Sequence, residues 1–167
     1  MTRINADLAP ALLTDQHLFA EYREMRRIPK ALLKSLAAQS ASALRAQIPE
    51  NFRLGSGHVK FFYDKGRFLV ERHALLRSEL LERGYRLNDD GVFDNLGVYG
   101  RHPDFFGAPS TIFSREERSL VIARILERIE EKPQVYTLRK ARIELVSYAA
   151  LLASSLGEEA NAFQATP

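Results

Sequence analysis

Between Thr14 and about Ile48 the apolar residues Leu18, Tyr22, Met25, Leu32 and Leu36 recur at steps of three, four or seven, with mostly charged or polar positions between them. That period places them on one stripe of an α-helix, the stripe that packs inward. Pro29 falls inside the pattern. It has no N–H, and its ring collides with the carbonyl four residues back, so it predicts a kink or a split. The stretch LGSGHVKFFYDKGRFL then runs through Val59, Phe61 and Phe62 into a second periodic segment, which predicts a helix over 64–83 stopping at Gly84. Asp64 reads mostly as its cap. Phe61, Phe62, Tyr63 and Phe68 read as core, with one ring stacked on a base as the alternative. His58 reads as bonded to a buried backbone group.

Residues 87–111 are dense in Gly and Pro among Asp and aromatic residues, which predicts compact but irregular loop. SREE is a start signal: Ser114 and Glu117 have the spacing of a capping box, opening a third helix that ends before Pro133. A fourth helix is expected over 138–156, closing at Gly157, followed by a frayed tail. The pattern predicts an all-α fold with very little strand: a compact helical domain over 1–137, and a helical extension over 138–167. Leu145, Ala149, Leu152 and Leu156 form the apolar stripe of that extension. It packs on the body or on another subunit, and we favour the body.

At 167 residues and 46% hydrophobic content the chain can build one real core. It has no Cys, which excludes a disulfide framework, a thiolate nucleophile and a Cys-based zinc site. No run of about 18 apolar residues occurs, and Arg3, Asp7 and Asp15 interrupt the place where a secretory core would be apolar. A soluble, cytoplasmic protein is expected, with no membrane partner. The net charge is only +3, yet the pI near 9.3 and the Arg-rich helices favour a polyanion over a membrane.

On a wheel of about 100° per residue, Arg23 and Arg27 lie within roughly 20° of Gln16, and His17 and Glu24 lie roughly 80–100° from it. The apolar stripe falls on the other side. Gln16, His17, Arg23, Glu24 and Arg27 thus gather in one patch, which reads equally as an ordinary solvated face with intrahelical ion pairs. Residue 2 adds chemistry. Thr2 is small enough for Met1 to be removed, leaving an α-amine whose pKa near 8 keeps on the order of a tenth of it neutral at pH 7. Nearby Arg3, Arg23 or Arg27 would lower that pKa by like-charge repulsion. A neutral amine can form a Schiff base with an electrophilic sugar carbon. Small second residues are also common for reasons of processing alone.

The stretches MTRIN, DQHLFAEYRE and LGSGHVKFFYDK, continuing to RGY, resemble the pyrimidine dimer DNA glycosylases of the T-even phage endonuclease V type. The resemblance is dense over 2–28 and 54–86 and thinner over 112–136. It implies a compact all-helical monomer that needs no metal or organic cofactor and acts on damaged double-stranded DNA. The Thr2 amine would be the nucleophile and Glu24 the essential carboxylate. Arg3, Gln16, His17, Tyr22, Arg23 and Arg27 match residues that line the lesion or hold flanking phosphates. Arg124 and Arg128, four apart on the third helix, match basic DNA-contacting positions. The implied reaction expels the damaged base, holds the sugar as an imine, and cuts the strand by β-elimination.

The sequence departs from that family in its tail. VYTLRKARIELVSYAALLASSLG keeps Tyr136 but replaces most of the family's other rings, and residues 87–111 have no clear counterpart. Two alternatives stay open: the same amine chemistry on another damaged or modified base, and a helical DNA-binding module without catalysis. His73 and His102 have no evident partners, and no metal site is expected.

Overall fold

The computed structural model describes residues 4–107 and 113–156. They form two compact units, one of Ile4 with residues 18–107 and the other of residues 5–17 with 113–156. The described residues are mostly helical, with a single two-stranded sheet.

The long first helix resolves into three: α1 (Asp15–Met25), α2 (Arg27–Ala38) and α3 (Ala41–Arg45). The break falls at Arg26 because Pro29 occupies the third position of α2. Its missing N–H costs nothing in a first turn, whereas a straight helix would drive its ring into the Met25 carbonyl. The second break is made by Ser40, whose hydroxyl accepts the Ala43 N–H at 3.3 Å. Leu18, Tyr22, Met25, Ile28 and Leu32 are buried as the stripe requires, and Leu36 is half-buried.

A short helix, α4 (His58–Phe61), precedes α5 (Gly66–Glu82). Phe61, Phe62, Tyr63 and Phe68 are buried, and Phe61 meets Phe62 edge-on at 5.0 Å. His58 Nδ1 lies 2.8 Å from the Arg53 carbonyl, the backbone partner expected for it. Asp64 does not cap α5. Lys65 holds the cap position with no side-chain hydrogen bond, and the Asp64 carboxylate pairs with Lys65 Nζ at 2.7 Å. The helix ends as foreseen at Gly84. With φ at 75°, that glycine lets the Gly84 N–H reach Leu81 O and the Tyr85 N–H reach Leu80 O, a Schellman closure.

Arg72 of α5 is fully buried and meets the equally buried Glu21, with Nε 2.8 Å from Oε1 and Nη2 3.1 Å from Oε2. Within 87–107 the chain is less irregular than its composition predicts. It forms α6 (Val98–Arg101), packed on α2, and a 3-10 turn at Pro103–Phe105. Two close backbone approaches fix the entry to α5: the Tyr99 ring lies on Gly66, and Gly107, at φ 77°, sits against the Asp64 carbonyl where any Cβ would collide. The Arg67 N–H donates to Phe106 O at 2.8 Å in the same place.

The second unit opens with a turn in which the Leu8 N–H donates to Asn5 O at 3.2 Å, followed by a 3-10 helix at Pro10–Leu12. The predicted capping box is present at the start of α7 (Arg115–Glu131). Ser114 Oγ accepts the Glu117 N–H at 3.2 Å, and Glu117 Oε2 accepts the Ser114 N–H at 2.8 Å. Val121, Ile122, Ile125 and Ile129 give α7 its buried face.

The expected helix over 138–156 is corrected. A hairpin comes first, with β1 (Thr137–Leu138) antiparallel to β2 (Ala141–Arg142), and α8 covers only Leu145–Ser154. The two loop residues, Arg139 and Lys140, both have positive φ, at 50° and 68°, as a type I′ turn demands. Helix is refused here because Asp15 binds the turn directly: its Oδ2 accepts the Thr137 hydroxyl at 2.6 Å and the Lys140 N–H at 2.8 Å. Glu144 then caps α8 by accepting the Val146 and Ser147 N–H groups. Tyr148 and Leu152 are its buried residues, and α8 packs on α7. The expected stop at Gly157 and the frayed tail lie outside the described residues.

Candidate active site

In the second unit the site residues are set by the first turn of α1. Thr14 Oγ1 accepts the His17 N–H at 3.2 Å and lies 2.8 Å from His17 Nδ1. The His17 ring stacks on Tyr136 with centroids 4.9 Å apart and planes 15° from parallel. Gln16 is tied to Thr137 at both ends of its amide: Nε2 donates to Thr137 Oγ1 at 3.2 Å, and Oε1 accepts the Thr137 N–H at 2.9 Å. As placed, Asp15, Gln16 and His17 hold the hairpin and its aromatic neighbour, with His17 only 6% exposed.

In the first unit Glu24 and Arg27 come together. Arg27 Nη1 lies 2.9 Å from Glu24 Oε1 and 3.2 Å from Oε2. The Glu24 side chain is 21% exposed and that of Arg27 76%, so the carboxylate is partly sheltered while its cation reaches into solvent. Arg23 is exposed, its guanidinium 5.5 Å from the Phe19 ring centroid. Phe19 in turn meets Tyr85 edge-on at 4.7 Å. Glu24, Arg27 and Arg23 thus combine one partly sheltered carboxylate with two exposed cations.

Tyr22 faces inward instead. Its hydroxyl donates to both carboxylate oxygens of Asp89 at 2.8 and 2.9 Å, and its ring stacks on His73 at 4.5 Å. Burial, reinforced by the Asp89 bond, pushes the phenol up to about 12. Burial works against the charge of Asp89, but the Tyr22 hydroxyl, the Gly91 N–H and Arg26 outweigh it and hold the carboxyl below its usual range. Arg26 Nη1 closes this cluster 3.2 Å from Asp89 Oδ2. Tyr22 is thus committed to fixing the 89–91 turn.

Arg124 and Arg128 lie four apart on α7 and are both half-buried. Arg124 Nη1 is 3.2 Å from Glu127 Oε2. Thr2 and Arg3 lie outside the described residues. Among the described residues no group of three or more His, Asp or Glu is placed to hold a metal ion, and no helix is long and apolar enough to cross a membrane.

A family model described as pyrimidine dimer DNA glycosylase matches residues 1–91, more than half of the chain. The chain belongs to that family, and with it to the DNA glycosylases, DNA-binding enzymes of repair. The matched span includes Thr2, Arg3 and every site residue up to Arg27, while Arg124, Arg128 and the hairpin lie beyond it.

Several groups that hold these residues escape sequence reasoning. Asp15 and Thr137 are 122 positions apart, Asp7 and Arg118 are 111 apart, and Glu21 and Arg72 are 51 apart. Local periodicity carries no information about such pairs. The one sequence signal for the hairpin was β-branched Thr137 after Pro133, which is weak by itself.

Proposed function

We propose that this protein excises ultraviolet-induced pyrimidine dimers and then cuts the strand, using the Thr2 amine as nucleophile. The observation that carries the reading is the family match over 1–91, a span holding both Thr2 and Glu24. After removal of Met1, the neutral amine attacks the deoxyribose carbon bearing the damaged base. The bond to the base breaks and the base leaves with its electron pair. After loss of a proton from nitrogen, the nitrogen lone pair expels the ring oxygen, which takes up a proton, and the opened sugar is left as a protonated imine. Removal of a proton from the neighbouring carbon then expels the 3′ phosphate, which is β-elimination. A carboxylate is needed twice, to stabilise the cationic sugar and to carry that proton. Glu24, sheltered on one side by Arg27 and open on the other, suits both tasks. Arg3, Arg23 and Arg27 would lower the pKa of the amine and draw in phosphates. His17 and Gln16 would contact the lesion, and Arg124 with Arg128 would grip the backbone without reading sequence.

A second reading, the same amine chemistry on another damaged base, draws on the tail, where Tyr136 is stacked on His17 and most of the family's other rings are replaced. Borohydride trapping of the Met-processed protein separates the two. The test uses one duplex with a single thymine dimer, beside abasic and undamaged duplexes. An adduct on the dimer, lost when Thr2 is blocked, supports the first reading. An adduct on the abasic duplex alone supports the second, and no adduct on any duplex removes both.

A further inference from the structure

The chain just downstream of the nucleophile is held in an unusual way. Asn5–Leu8 is a turn whose first central residue, Ala6, has φ 51° and is fully buried. A non-glycine residue in that region is strained and persists only where its surroundings over-determine it. The second central residue supplies the fixing contact. Asp7 Oδ1 accepts from Arg118 Nε at 2.9 Å and Oδ2 from Nη2 at 2.8 Å, a two-point fork that sets orientation as well as distance. Both side chains are only 14% exposed. Ile4, Asn5, Ala6 and Leu8 are all buried as well.

We propose that the Asp7–Arg118 pair is a positioning clamp for the reacting amine. It locks the strained turn at Ala6, from which the chain runs back through Ile4 to the amine. Resting on the Thr2 reading above, the inference deepens it by assigning a task to a residue of α7 that lies outside the family match. Covalent geometry gives it force. Thr2 stands two residues before buried Ile4, so its nitrogen is tethered within on the order of 8 Å of the Ile4 Cα. An amine on so short a leash has its approach to a sugar carbon decided by the anchored chain behind it. Displacements near 1 Å in such a geometry cost large factors in rate. Asp7 and Arg118 need touch neither substrate nor amine to have this effect.

The test compares Asp7→Asn and Arg118→Lys with the processed wild-type protein on an abasic duplex. Two quantities are read: the single-turnover rate of borohydride-trappable adduct at saturating DNA, and the Kd for a reduced abasic duplex. The clamp predicts that Asp7→Asn slows adduct formation about tenfold or more while Kd stays within about twofold. Arg118→Lys, which keeps the charge but loses the fork, should fall between. Ala6→Gly supplies a variant that folds readily, because glycine is at ease at φ 51°. With the Asp7–Arg118 fork intact it should keep a near wild-type saturated rate, which separates loss of the clamp from a mere change of residue in the turn. A wild-type rate in folded Asp7→Asn, or in Arg118→Lys if Asp7→Asn does not fold, would overturn the clamp and leave the amine reading intact. Parallel losses in rate and Kd would reduce the pair to a structural brace. Failure of the wild-type protein itself to form an adduct would remove the amine reading, and the clamp with it.

Discussion

One guanidinium nitrogen of Arg27 lies within 3.2 Å of both carboxylate oxygens of Glu24, across the break that separates α1 from α2. The pair is bought cheaply, because its arginine is largely in solvent and such contacts contribute little to stability. Glu24→Gln should therefore leave the thermal midpoint essentially unchanged. It should nonetheless lower strand cleavage at an abasic site by about a hundredfold or more, the range expected when a proton-transfer group is lost. A nicking assay beside a thermal melt checks both halves.

The Glu21–Arg72 pair has the opposite character. Both groups are out of water, so Arg72→Met should cost about 3–5 kcal/mol by leaving a buried carboxylate uncompensated. Replacing both residues, Glu21→Leu with Arg72→Met, should recover most of that loss. Urea unfolding of the two single variants and the double variant measures the coupling.

What sequence could reveal follows the range of the interactions. The inward stripe of Leu18, Tyr22, Met25 and Leu32, the Ser114–Glu117 box and the Gly84 stop are all written within a few residues, and all appear in the structure. The turn at Arg139 and Lys140 is not. Its residues look helical, and it is Asp15 and Gln16, more than a hundred positions away, that hold them as a hairpin. The same holds at the candidate site. The wheel grouped Gln16, His17, Arg23, Glu24 and Arg27 as if on one helix, whereas Gln16 and His17 are taken up by Thr137 and Tyr136 and Glu24 pairs with Arg27 across a helix break. Tyr22 carries an apolar ring and a polar hydroxyl, and the period alone could not show that Asp89 takes the hydroxyl.

DNA affinity should fall with salt, and each phosphate contact sets part of the slope. If Arg124 and Arg128 grip the backbone, Arg124→Gln and Arg128→Gln should each reduce the slope of log Kd against log salt by about 1, on damaged and undamaged duplexes alike. Fluorescence anisotropy over a salt series is the measurement. A change confined to damaged DNA would place these residues at the lesion instead.

Stability should depend on His73 in mildly acid solution. Burial first, then the charge of Arg26, lowers its pKa from 6.5 to about 4. Between those values the unfolded chain binds a proton that the folded one refuses, so stability is complete above about pH 6.5 and is lost as pH falls towards 4. His73→Phe, which keeps a ring against Tyr22 and Phe93, should flatten that part of the profile. His58, lowered in the same direction by burial, leaves a residual slope. Denaturant midpoints between pH 4 and pH 7 decide it.

The two bare backbones at the entry to α5 bear on how variants of this chain would survive selection. At Gly66 the space of a methyl group is filled by the Tyr99 ring, and at Gly107 by the Asp64 carbonyl. A library of single substitutions scored for repair would find both positions as intolerant as Glu24, although neither has a side chain to offer a substrate. Heat would tell them apart: losses at 66 and 107 should be milder at low temperature, whereas those at 24 should be equally severe in the cold.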